Sequence, residues 1–149
     1  MRWKPNVTVA AVIARDDRYL LVEEEGERGL MLNQPAGHLE DGETLQDAVV
    51  REVLEETAWR FIPRALLGIY QWRDPASATT YLRLAFCGDA EGPDPARKLD
   101  RGIVRTLWCT RDEVAAERAR HRSPWVLACI DDHRAGRRAS LDLVHALLT

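Results

Sequence analysis

Residues 37–59, GHLEDGETLQDAVVREVLEETAW, decide how this chain is read, because five glutamates and one arginine fall there on a loop and the helix that follows it. Glu52, Glu55 and Glu56 stand at helical offsets of zero, three and four. Their side chains therefore share one face within about one turn, ~5.4 Å. Three carboxylates that close repel one another unless cations intervene. Oxygen-only donors favour Mg²⁺, with Mn²⁺ as a substitute, and such ions are held by one or two carboxylates plus waters and substrate phosphate. Thr44 is placed to cap the helix, while Leu45, Ala48, Val49, Val53 and Leu54 give it an apolar face turned away from the acids. One side of the helix is thus expected to pack and the other to bind.

Working outward, residues 6–14 and 19–24 read as a strand hairpin about Asp16-Asp17, and residues 30–34 as a short strand stopped by Pro35. Beyond the helix, residues 64–71 and 79–87 read as strands around a turn at Asp74-Pro75-Ala76-Ser77, and residues 101–110 as another. Residues 88–100 are rich in Gly, Pro and Asp and read as a loop over a pocket. Thr110 is expected to cap a helix reaching Arg120, and Ser123-Pro124 to begin one ending near Gly136. The segment from Ser140 is open between a strand and a short helix. Helices interspersed among strands predict an α/β fold with a mixed sheet covered on both faces.

The chain has 149 residues, 46% of them hydrophobic, which suits one domain spanning 1–149 with a core that needs neither disulfides nor structural metal. Its three cysteines, Cys87, Cys109 and Cys129, lack zinc-site spacing and are odd in number, so a reducing, cytoplasmic compartment is expected. No apolar run approaches the ~18 residues of a membrane span, and the opening Met1-Arg2-Trp3-Lys4-Pro5-Asn6 is not followed by a signal-peptide core. A net charge of -3 argues against a general DNA or RNA binder while allowing a small nucleotide or phosphate ligand. Lys4 and Lys98 are the only lysines, so single arginines carry little information, and Arg118, Arg120, His121 and Arg122 read as a solvated helix end rather than a phosphate contact. Composition leaves monomer and homodimer equally open.

Position by position, the central segment runs Gly37, five residues, Glu43, seven residues, then Arg51-Glu52-Val53-Leu54-Glu55-Glu56-Thr57-Ala58-Trp59. This resembles the signature box of the Nudix hydrolase family. Val7-Thr8-Val9-Ala10, the run from Asn33 to Glu40, Gln71-Trp72 and Arg122-Ser123-Pro124 resemble that family's NudJ phosphatase branch, so the likeness covers most of the chain. It implies an α/β/α sandwich and metal-dependent hydrolysis of phosphoric anhydride bonds. It implies metal ligation by Glu52, Glu55, Glu56 and the Gly37 carbonyl, with Arg51 and Glu43 fixing the helix to the loop. The general base in the family is drawn from different glutamates; Glu52 is favoured here and Glu56 next. The branch implies nucleoside tri- and diphosphates, thiamine pyrophosphate and hydroxymethylpyrimidine pyrophosphate as substrates, with orthophosphate released. Two alternatives stay open: a pyrophosphohydrolase of dinucleoside polyphosphates, nucleotide sugars or RNA 5′ ends, and a non-catalytic nucleotide-sensing module. One position departs from the box, since Ala58 stands where glycine is usual. A left-handed alanine costs roughly 1 kcal/mol, so a different helix exit, and altered packing of Trp59, are expected.

Taken alone, three glutamates and an arginine at these offsets make an ordinary salt-bridged surface. The ordered Gly37, Glu43 and Arg51 with matching flanks favour the metal site. Gln34 and His38 flank the loop and are candidates to hydrogen-bond a phosphate or leaving group. Tyr70 and Trp72 alternate onto one strand face, where stacking on a heteroaromatic ring and core packing compete evenly. Arg83 and Arg105 are candidates to balance phosphate charge. Glu40 and Asp41 read as solvated loop residues beside the site, Asp100 is a weaker assistant, and His121, His133 and His145 read as packing or surface residues.

Overall fold

β1 (Asn6–Arg15) and β2 (Arg18–Gly26) form the first hairpin in a computed structural model that describes residues 1–148. Asp16 and Asp17 turn it at φ of 50° and 64°, a region that Asp tolerates better than most residues. β3 (Gly29–Asn33) pairs antiparallel with β2. After Pro35 the chain forms β4 (Ala36–His38), a three-residue strand within what the sequence presents as loop, which pairs Val9 with Gly37 and Thr8 with His38. α1 (Leu45–Thr57) begins at Thr44, whose Oγ1 accepts from the Asp47 amide at 3.0 Å. β5 (Arg60–Arg73) and β6 (Thr80–Glu91) make a long antiparallel ribbon, β6 lies parallel to β1, and β7 (Ile103–Thr110) pairs with β2. α2 (Arg111–Ala116) and α3 (Trp125–Arg134) follow.

The strands thus make two sheets, β4-β1-β6-β5 and β3-β2-β7, joined at the β1–β2 turn. Alternation along β1 sends Val9, Ala11 and Ile13 into a cluster with Ala48, Val49 and Val53 of α1, and Ala10 and Val12 into a second cluster with Val114, Val126 and Ile130 of α2 and α3. Both faces are covered, so β1 is nearly continuously apolar and the layering is α/β/α. Two backbone pairings close strand edges: Leu66 of β5 exchanges hydrogen bonds of 2.9 and 2.8 Å with Ala139, and the Arg122 amide donates to Leu32 of β3 at 2.8 Å. No helix among the described residues is long and apolar enough to cross a membrane.

The exit of α1 keeps the left-handed turn, with Ala58 at φ 64° and its amide donating to the Leu54 carbonyl at 3.0 Å. The altered exit expected for alanine is therefore corrected: packing holds the strained backbone. Trp59 is buried to 7% exposure, sits edge-on to Trp108 with centroids 5.6 Å apart, and has the Arg15 guanidinium 4.8 Å above its ring. That turn feeds directly into β5, which starts four residues ahead of the expected strand. β6 runs on through Gly88 to Glu91, because bulges in β5 at Pro63/Ala65 and Leu66/Gly68 absorb the register change. The helix after Thr110 ends at Ala116 and tightens into a 3₁₀ turn at Arg118–Arg120, and Leu141–Leu143 is a second 3₁₀ turn.

Candidate active site

α1 and β4 build the site together. Alternation in β4 turns Gly37 toward α1 so closely that a methyl group there would fall inside the Glu52 carboxylate. Only glycine leaves that carboxylate its room. The Ala36 amide donates to Glu56 Oε1 at 2.8 Å, clasping the strand to the last turn of the helix. Arg51 grips Glu43 with both arms of its guanidinium, Nε to Oε2 at 3.0 Å and Nη2 to Oε1 at 2.7 Å. Its Nη1 reaches Glu52 at 2.8 Å and Glu55 at 2.7 Å, and Nη2 also donates to the His38 carbonyl at 3.1 Å. One cation thus orders three carboxylates and the loop, and the hydrogen bond from Arg51 holds the Glu43 carboxyl below its ordinary pKa.

Burial shifts the acids of this cluster upward despite Arg51. Burial, then the charges of Glu24, Glu52 and Asp100, push Glu56 up to about 9 against the pull of the Ala36 amide. Burial likewise raises Glu52, and Asp100 is raised by burial and then by Glu55. Glu56 and Glu52 are only 8% and 9% exposed, so the acidic face of α1 is partly inside the protein rather than a solvated surface. Oxygens of Glu52, Glu55 and Asp100 lie within 4.8 Å of one another, and the Asp100 amide donates to the Glu55 carbonyl at 2.9 Å. Clustered carboxylates that repel one another, with Glu52 and Glu56 buried among them, are the donor set a hard divalent cation takes. The residues present fit such an ion.

The candidate substrate residues divide. His38 and Trp72 line one aromatic row with Tyr81, whose ring is stacked 6.2 Å from Trp72 and tilted 6.4 Å from His38. Gln34, Arg83 and Tyr70 are instead roofed by α3. Gln34, 1% exposed, donates to the Val126 carbonyl at 2.7 Å and accepts from Arg83 at 2.9 Å; Arg83 also donates to Asn33 at 2.8 Å. Tyr70 packs 5.2 Å from Trp125 and donates its hydroxyl to Asp132 at 2.7 Å. The expected Tyr70–Trp72 pair is thus revised: both point to one face, but α3 covers the first and stops short of the second. Arg105 is spent on Glu23 at 3.0 Å. Glu40 stands 3.6 Å from Arg51, and Asp41 is exposed beside it. Sequence reasoning passed over Glu24 and Tyr81 and underrated Asp100. Tyr81 becomes visible only once the β5–β6 register sets it opposite Trp72, and Asp100 only once its loop folds back on α1.

Comparison with known proteins identifies the family. The NUDIX domain family model matches residues 4–128. The chain is 35% identical over 142 residues to the phosphatase NudJ of Escherichia coli strain K12, covering 95% of this chain and 92% of that one. A NUDIX hydrolase from Nitrosomonas europaea is 54% identical, with a TM-score of 0.94 over 97% of this chain and 98% of its own. A MutT protein from Methanosarcina mazei Go1, at 21% identity and TM-score 0.71 over 93% of this chain and 100% of its own, shares the fold. Nudix hydrolases use divalent metal and act on small nucleotide substrates, which suits the acid cluster on α1. The chain belongs to the Nudix hydrolase family and is related to the NudJ phosphatases.

Proposed function

We propose that this protein is a Mg²⁺-dependent phosphatase, with Mn²⁺ as a substitute, that releases phosphate from nucleoside tri- and diphosphates and from thiamine-related pyrophosphates such as thiamine pyrophosphate and hydroxymethylpyrimidine pyrophosphate. The likeness to phosphatase NudJ along 95% of the chain, with every box glutamate in place, carries this reading. Glu52, Glu55, Glu56 and the Gly37 carbonyl would hold the cation. A cation there neutralises phosphate oxygens and lowers the pKa of the attacking water. Glu52 is the proposed general base, because Arg51 engages its Oε1 and leaves the second oxygen to take the water proton, with Glu56 next in line. The water oxygen bonds to phosphorus, the bridging P–O bond breaks, and the leaving oxygen departs with its electron pair. Arg51 and Glu43 position the ligands, while His38 and Trp72 face the leaving group. In this reading residues 1–149 form one cytoplasmic domain acting on small molecules, as a monomer or homodimer, without DNA or membrane partners.

The test is ³¹P NMR of the protein with Mg²⁺ and, in turn, ATP, ADP, thiamine pyrophosphate, ADP-ribose and a dinucleoside polyphosphate. Orthophosphate from terminal positions is expected. Internal cleavage to monophosphates would replace the reading with a pyrophosphohydrolase. No turnover of any compound would replace it with a nucleotide-sensing module.

A further inference from the structure

Four elements converge on a cavity of about 350 Å³ remote from the carboxylates. Its floor is Ala14, Ala65, Cys87 and Gly88, small side chains that leave open space, and its rim is Arg64, Asp89, His133 and Arg138. Ala14 lies five residues beyond Val9, the partner of Gly37, which is about 16 Å along β1. Arg64 is the extra residue of the Pro63/Ala65 bulge, a device that re-aims a side chain. Gly88 is the residue that bulge requires, since a Cβ there would collide with the Ile62 carbonyl.

Arg138 makes the cavity more than a surface dent. Its Nη1 is tied to the carbonyls of Arg137 at 2.7 Å and His133 at 3.2 Å, which fixes the guanidinium and leaves its other nitrogens for a ligand. Neighbouring arginines are ion-paired, Arg134 with Asp17 and Arg137 with Asp132, whereas no carboxylate among the described residues pairs with Arg138. Arg64 is held 3.0 Å from Asp89, both of them well exposed. His133 Nδ1 lies 2.8 Å from the Tyr19 hydroxyl, so its second ring nitrogen is left over.

We propose that this cavity binds a phosphate dianion, as free orthophosphate or as the phosphate of a nucleoside monophosphate, through Arg138 and Arg64 with His133 as a third contact. A planar fork matches phosphate oxygens bidentately, and a double charge is what draws Arg64 from its exposed pairing with Asp89. The volume lies at the lower end of small-molecule sites and exceeds what one phosphate fills, so an attached nucleoside has room. The site is independent of the catalytic reading.

The test is a ¹H–¹⁵N NMR titration of the metal-free protein with inorganic phosphate and, separately, AMP. Amides of Ala65, Gly88 and Asp89 are expected to shift. Arg138→Ala should weaken binding at least tenfold, and Asp89→Asn, which frees Arg64, should tighten it. Equal affinities would assign the site to free phosphate, and tighter AMP binding to a nucleotide. Both substitutions lie on exposed side chains, and the dispersed spectrum itself reports an intact fold. Shifts confined to Gly37 and α1, unchanged affinity in Arg138→Ala, or weaker binding in Asp89→Asn would each overturn the proposal.

Discussion

Glu56 shows how much one residue's meaning depends on what surrounds it. Its spacing from Glu52 marked it as a metal ligand, but nothing local told that it would be 8% exposed beneath Ala36. An exposed acidic face could lose a carboxylate without consequence for folding; a buried, mutually repelling one gains from losing it. Glu56→Gln is therefore expected to lower kcat by at least ~100-fold while leaving the metal-free melting temperature unchanged or higher. Calorimetry with and without Mg²⁺ checks this, and the variant should lose most of the rise that Mg²⁺ gives the parent. Tyr70 and Trp72 separate at the same scale. Tyr70→Phe removes a hydrogen bond to Asp132 and should cost about 1–2 kcal/mol with KM unchanged. Trp72→Ala should raise KM roughly five- to tenfold with a smaller loss of stability. Equal KM values in the two variants would remove Trp72 from the substrate face.

Elements were legible where the signal is local. α1 announced itself through Thr44, the apolar stripe at Ala48, Val49 and Val53, and the acids opposite. β4 did not, because three residues carry no periodicity and exist as a strand only by pairing with β1. The continuation of β6 through Gly88 was hidden for a related reason: glycine reads as loop, yet here it is the price of a bulge across the ribbon. The exit of α1 ran against intrinsic preference, since Ala58 accepts a left-handed backbone to seat Trp59 against Trp108. Ala58→Gly should consequently relieve up to about 1 kcal/mol of strain, less whatever burial of the methyl contributes. A denaturant midpoint shifted upward at constant slope is the expected result, with activity kept.

At the scale of the whole molecule, two buried titratable side chains, Glu23 and His121, make stability depend on pH. Glu23 is held below its ordinary pKa of 4.5 first by the hydrogen bond from Arg105 and also by Arg120. Its native state binds fewer protons than its unfolded one, so its stabilisation is complete above pH 4.5 and fades as pH falls through the lowered value. His121, whose Nε2 lies 2.7 Å from the Val114 carbonyl, is pushed below 6.5 by burial, so the unfolded chain takes its proton first as pH drops from 6.5. The stability of the parent relative to His121→Gln should shrink below pH 6.5, and relative to Glu23→Gln only below pH 4.5, both measured by urea titration at stepped pH. The layered architecture could be anticipated from alternating strands and helices, but the parallel β1–β6 pairing and the separation into two sheets rest on contacts between distant residues that no local pattern encodes. The reciprocal pairing of Leu66 with Ala139 reaches further than the fold. β5 is the last strand of its sheet, and an open strand edge is a template for other chains. Ala139 occupies that template from within, so the segment after α3 acts as a built-in guard against self-assembly. A chain cut after Gly136 should keep its carboxylate cluster, yet associate with rising concentration in analytical ultracentrifugation as β5 finds the same strand of a neighbour.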